Sequence, residues 1–165
     1  MEGVKKILVP IDFSDCSEEA LGYAVFLAEQ LKATVLVAHV MELMVYPIDF
    51  TLADHLAYPN LKKEVSEELE RIVDPWRGKG VPIETHLLKG DSSEEIVSAA
   101  KDLSCDLIIM GTHGRKGFSR ALMGSVTEQV VRSSSIPVLT VRKQDGQPQS
   151  QSASCVSGST AGSTA

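Results

Sequence analysis

The chain has 165 residues, 43% hydrophobic and 5% aromatic, which is material for one core and a poor fit to two domains. Its formal net charge of −6 argues against broad attraction to nucleic acid or to an anionic membrane surface. Cys16, Cys105 and Cys155 stand far apart without a C-x-x-C pair, so neither a disulfide framework nor a zinc site is expected, and reduced thiols fit a cytoplasmic location.

The first element is the short β-branched run "KKILVPI"; it is too short for a signal peptide and leads directly into the fold. "FSDCSEE" then starts a helix, with Ser14 or Asp15 as N-cap and acidic residues in the first turn. Ala20, Ala24, Leu27 and Leu31 recur at helical spacing and are expected to face inward. Thr34 to Val40, "TVLVAHV", is the second strand. The segment "MELMVYPIDFTLADHLAYPN" carries Pro47 and Pro59 and reads as an irregular lid or binding loop, in which Met41, Met44, Tyr46 and Phe50 either line a ligand or pack beneath the loop.

A charged helix is expected from about Leu61, with Val65, Leu69, Ile72 and Val73 inward and "KKEVSEELER" as its solvated face. "GKGV" breaks it, and "PIETHLL" supplies a third strand. "DSSEEIVSAAKDL" is a helix with capping-box spacing, Ser92-x-x-Glu95, and an inner face of Ile96, Ala100 and Leu103. "CDLIIM" is wholly apolar and reads as a central strand. "SVTEQVVRSS" is a short helix and "IPVLTVR" the last strand. From residue 144 the composition turns to Gln, Ser, Gly and Thr; residues 144–165 are expected to form a disordered tail on a domain spanning 1–143.

Strand and helix alternate throughout, so the expected class is α/β: an open five-stranded parallel sheet with helices on both faces. Ligands of such sheets bind beyond the carboxyl ends of the strands, where strand order reverses. Asp12 and Gly111 would then face each other across a crevice.

The stretch "GTHGRKGFSRALMGS" follows the fourth strand. Neither a G-x-x-x-x-G-K-[ST] loop nor a G-x-G-x-x-G after the first strand is present. Gly111 would let the strand end meet a ligand with no Cβ in the way, and Gly114 could take positive φ. The N–H groups of Ser125, Val126 and Thr127 open a helix and form a phosphate-sized anion site, to which the Ser125 and Thr127 hydroxyls could add. Arg115, Lys116 and Arg120 add positive charge, and Asp12 could accept from a ribose. The bland alternative is that the glycines are turn residues and Ser125 a helix cap.

The segment "MGTHGRKGFSRALMGSVTEQVV" resembles the signature of the universal stress protein family in its ATP-binding branch, G-x2-G-x9-G-[ST], with Gly111, Gly114, Gly124 and Ser125 at the matching positions. "ILVPIDFS" and "IPVLTVR" resemble that family's first and last strands, and the likeness spans roughly residues 3 to 143. It implies a Rossmann-like sheet of the adenine nucleotide alpha hydrolase type with strand order 3-2-1-4-5. It also implies that main chain at Pro10, Ile11, Asp12 and Val40 brackets adenine, and that Asp12 and Gly111, preceded by Met110, meet the ribose. The phosphates would lie against His113, Gly114, Arg115, Gly124, Ser125, Val126 and Thr127. Mg²⁺ would arrive with ATP, held by phosphate oxygens and water rather than by protein ligands. A homodimer joined through the last strand, 137–142, is a further implication, and in a monomer that strand would be an open sheet edge.

No residue is expected to be catalytic. His113 lacks a partner carboxylate or nucleophile at a recognisable spacing and reads as loop-orienting; His39, His55 and His86 lack metal-ligand spacing and read as structural. Cys16, at a helix start, is either a redox sensor or an inert, partly buried thiol. Three functions remain open: an ATP-dependent regulatory module, a slow ATPase or self-phosphorylating enzyme using Ser125 or Thr127, and an adaptor that binds unknown protein partners without nucleotide.

Overall fold

Parallel strands need long crossovers, and each crossover here carries a helix. The computed structural model describes residues 3–42, 51–113 and 123–142, and for 51–58 the backbone course alone. In chain order the elements are β1 (Lys6–Pro10), α1 (Asp15–Leu31), β2 (Thr34–Met41) and α2 (Thr51–Val73), which runs into a 3-10 turn (Asp74–Trp76). They continue as β3 (Ile83–Lys89), α3 (Ser92–Asp102), β4 (Leu107–Gly111), α4 (Ser125–Ser133) and β5 (Val138–Val141). All strand pairings are parallel and the order is β3-β2-β1-β4-β5, as expected from the alternation and the family likeness.

Successive strand residues point to opposite faces, so the two faces of the sheet collect separate cores. Ile7, Val9, Val35, Val37 and Ile109 pack with α1 and α2. Leu8, Leu36, Ala38, Ile108 and Met110 pack with α3 and α4. Near-continuous apolar runs such as "ILV" and "LIIM" follow from this double coverage.

Three local expectations need correction. The face of α1 that is buried consists of Ser17, Ala20, Leu21, Ala24, Val25 and Ala28, while Leu31 is exposed; the small alanines sit at the helix–sheet contact and rotate the inner face away from Leu31. The second helix begins at Thr51, ten positions before Leu61, and carries Pro59 inside it. An interior proline deletes one main-chain hydrogen bond and strains a turn, and a helix of 23 residues, anchored downstream by buried Leu69 and Val73, absorbs that loss. The N-cap of α3 is Asp91, whose carboxylate accepts from the N–H groups of Ser93 and Glu94, so the Ser92-x-x-Glu95 box is not used. The charged face of α2 is as expected, with exposed pairs Lys63–Glu67 and Glu68–Arg71.

At the amino end of the sheet, Asp106 accepts from the main-chain N–H groups of Lys5, at 2.7 Å, and Lys6, at 3.0 Å. This pins the start of β1 to the start of β4. Among the described residues no helix is long and apolar enough to cross a membrane.

Candidate functional site

Strand order reverses between β1 and β4, which pair with Ile7 opposite Leu107 and Leu8 opposite Ile108. The segments leaving their carboxyl ends, Pro10–Asp12 and Met110–His113, therefore emerge on one edge of the sheet, beside the end of β2 at Val40. Pro10, Ile11, Met110 and Gly111 are buried, and Val40, Asp12, Thr112 and His113 are half-buried. The structure brings these residues, all but Thr112 expected from the sequence, together at the switch point, the place where sheets of this kind hold ligands.

The β1–α1 connection is tightly built. Asp12 Oδ1 accepts from Ser14 N–H at 3.1 Å and from Ser14 Oγ at 2.6 Å. The buried Ser17 hydroxyl donates to the Ser14 carbonyl at 2.8 Å and accepts from Ser14 N–H at 3.2 Å. Ser14 also caps α1, and with Ser17 at the third helical position it forms a capping box. Between Asp12 and Ser14, Phe13 has φ of 62°, a left-handed conformation that is uncommon for a bulky residue and marks stored strain. His39 compensates: its ring lies 4.4 Å from that of Phe13, and its Nδ1 is 2.7 Å from the Ile11 carbonyl. His39 thus braces the β1–α1 connection. Ser14 was one of the two N-cap candidates in the sequence; its capping-box partner Ser17, for which the S-x-x-S spacing was the available signal, and the strained Phe13 were not read from it.

The other wall is the β4–α4 junction. A Cβ on Gly111 would lie 2.9 Å from the carbonyl carbon and oxygen of Cys16. The bare Cα at this position therefore admits the first turn of α1 rather than a ligand, which corrects the reason expected for this glycine. Thr127, only 4% exposed, donates its hydroxyl to the Gly111 carbonyl at 2.9 Å, and Gly124 N–H donates to the Thr112 carbonyl at 2.8 Å. These two donors tie α4 to the end of β4, so neither is left for a phosphate.

What the junction does leave is the helix start. Side chains cap α1 and α3, whereas α4 begins at Gly124, with φ −62° and ψ 147° and no side-chain cap. The N–H groups of Ser125, Val126 and Thr127 precede the first intrahelical bond, Glu128 N–H to Gly124 O at 2.9 Å. Together with the helix dipole they favour an anion. Ser125 is exposed and Val126 half-buried.

His113 is held through Nδ1, 2.9 Å from Thr112 Oγ1, and its buried Nε2 has no hydrogen-bond partner among the described residues. Gly114, Arg115, Lys116 and Arg120 lie outside the described residues, as do Met44, Tyr46, Phe50 and residues 144–165. Cys16 is half-buried; burial pushes the Cys105 thiol up to about 11, which makes it a poor nucleophile at neutral pH. His86 Nε2 sits 3.7 Å from Glu84. Among the described residues no group of three or more His, Cys, Asp or Glu side chains is arranged to hold a metal ion.

Comparison with known proteins agrees with this architecture. The model of the universal stress protein family matches residues 3–142. The universal stress protein MJ0531 of Methanocaldococcus jannaschii is 38% identical over 142 residues, covering 84% of this chain and 82% of its own. MJ0577 of the same organism is 34% identical over 156 residues, covering 86% and 96%, and its solved structure superposes with a TM-score of 0.74 over 87% of this chain and 99% of that one. A universal stress protein from Archaeoglobus fulgidus, solved in complex with dAMP, shares the fold at 22% identity and a TM-score of 0.56, over 86% and 99% of the two chains. On its sheet order, its switch-point geometry and these matches, the chain belongs to the universal stress protein family.

Proposed function

We propose that this protein is an ATP-binding regulatory module of the stress response, in the nucleotide-binding branch of its family. The observation that carries the reading is the amino terminus of α4, without a side-chain cap, tied to the carboxyl end of β4 at the β1/β4 switch point. Main-chain N–H groups of Ser125, Val126 and Thr127 receive phosphate oxygens, Asp12 meets the ribose, and the strand ends at Pro10, Ile11 and Val40 bracket the base. Gly111 and Thr127 hold the frame rigid, and His113, Gly114 and Arg115 complete the phosphate side. The glycine and serine spacing from Gly111 to Ser125 supports this reading, as does the dAMP complex formed by another protein of this fold.

The fit to the nucleotide is chemical: donors at a helix start that have no acceptor among the described residues suit a polyphosphate, and one carboxylate suits a sugar hydroxyl. Mg²⁺ rides on the phosphates, since a single Asp12 does not make a metal site. The protein contributes binding and a pre-organised loop, and partners read the bound state. Two copies pair across the open edge of β5, and the complex works in the cytoplasm.

Calorimetry of the full chain with Mg²⁺ and ATP, beside the Gly124→Val variant, tests the reading. The extended backbone of Gly124 accepts valine, so the variant should keep its circular dichroism while its side chain crowds the phosphate position. Binding by the wild type that the variant loses is the expected result. A folded wild type that binds no ATP overturns the proposal.

A further inference from the structure

On the α1 and α2 side of the sheet, away from the uncapped start of α4, lies an open groove of about 920 Å³. One wall is α1, where Glu19, Gly22, Tyr23 and Phe26 follow the i, i+3, i+4, i+7 spacing of a single helical stripe. The opposite wall carries Glu68 and Ile72 of α2 and then Trp76 of the 3-10 turn. The Trp76 ring lies over Gly22, where a Cβ would make an ordinary van der Waals contact with Cη2 at 3.4 Å. Tyr23 and Phe26 are 46% and 59% exposed, although α1 already buries a complete apolar face against the sheet. Single exposed apolar residues need no explanation, but aromatics gathered along a groove mark a contact surface.

The charge on the α1 wall is one-sided. α1 carries Asp15, Glu18, Glu19 and Glu29 and not one Lys, Arg or His. Glu18 and Glu19 have no cationic partner among the described residues. On the far wall Arg71 is engaged by Glu68, and the Lys79 ammonium stands 4.3 Å from the centre of the Trp76 ring. That contact is an internal example of what the surface accepts: a cation over an aromatic face.

We propose that this groove docks a basic amphipathic helix of a protein partner. Two helical walls make a bed for a third helix. The partner's apolar stripe would cover Tyr23, Phe26 and Trp76, while its Lys or Arg side chains meet Glu18 and Glu19. The groove reaches Phe13 and Asp15, next to Asp12, but contains none of the residues proposed to bind ATP, and its test reads peptide binding without nucleotide.

Trp76 is the only tryptophan in the chain, and its emission reports the groove directly. The probe is a 14-residue amphipathic peptide of leucine and lysine, with a leucine and glutamate counterpart as control, titrated into the full chain at physiological salt. The expected result is saturable binding of the lysine peptide with a blue shift of Trp76 emission and no binding of the glutamate peptide. Phe26→Ser, at an exposed position, should weaken binding about tenfold through lost apolar contact. The double variant Glu18→Lys, Glu19→Lys should weaken it about tenfold or more. Affinity unchanged in both variants would place the peptide outside this groove, and affinity lost only in the charge variant would mean attraction to charge alone; either would overturn the proposal. So would an unchanged Trp76 emission, preferential binding of anionic lipid vesicles, or a peptide-free emission shift with protein concentration, which would make the occupant a second copy of this chain.

Discussion

Gly111 illustrates how one residue type can serve two masters. Its spacing to Gly114, Gly124 and Ser125 resembles a nucleotide signature, yet its own Cα faces the backbone of Cys16. The obstruction for any side chain is main chain, which cannot rotate away, so adding one methyl group must separate α1 from β4. Gly111→Ala should therefore lower stability by about 1–3 kcal/mol, the usual cost of overpacking, seen as a lower urea midpoint. An unchanged midpoint would show that the α1–β4 contact gives way easily. Thr127 teaches a similar lesson, since its hydroxyl was expected at a phosphate and instead binds the Gly111 carbonyl. Residue identity and spacing located both positions in the sequence. Which neighbour each would meet depends on how α1 and α4 pack on β4, and no local pattern encodes that.

At the scale of elements, hydrogen-bonded carboxylates punctuate the fold. Asp106 accepts from Lys5 and Lys6 main-chain N–H groups, and these bonds hold its carboxyl below the ordinary value of 3.8. The folded state then binds fewer protons than the unfolded chain, so the contribution is complete above 3.8 and is lost as pH falls through the lowered value. Asp106→Asn should consequently lower the urea midpoint at pH 7, and the gap to the wild type should close as the pH drops below 3.8. A gap that persists in acid would assign the loss to geometry rather than charge. Asp91 shifts in the same direction, chiefly through the Ser93 hydroxyl and then Glu94 N–H, so both helix cap and strand pin loosen on acidification. Element order and type were legible because short, continuous apolar runs alternate with segments of helical period along the chain. Boundaries were less so: Pro59 looked like a break, and the cap of α3 lay one residue before the serine that suggested it. Both misreadings come from weighing a local preference without the tertiary packing that overrides it.

At the scale of the whole molecule, the sheet closes on one side with β5, a strand of four residues. Its inward bonds run from Ile108 N–H to the Pro137 carbonyl and from Thr112 N–H to the Val141 carbonyl. In a parallel ladder alternate residues bond to alternate sides, so Thr140 presents its main chain to the open edge, beside exposed Leu139. An edge of this kind invites a second strand, which is the physical case for the proposed pairing of two copies across β5. Proline is tolerated on an edge strand when its nitrogen faces away from the sheet. Thr140→Pro should thus remove an outward donor and obstruct a partner strand while the β4–β5 ladder survives. Sedimentation velocity of the wild type should give a dimer, and the variant a monomer with unchanged circular dichroism. A variant that stays dimeric would move the interface away from β5, and a monomeric wild type would mean that β5 remains an open edge in solution.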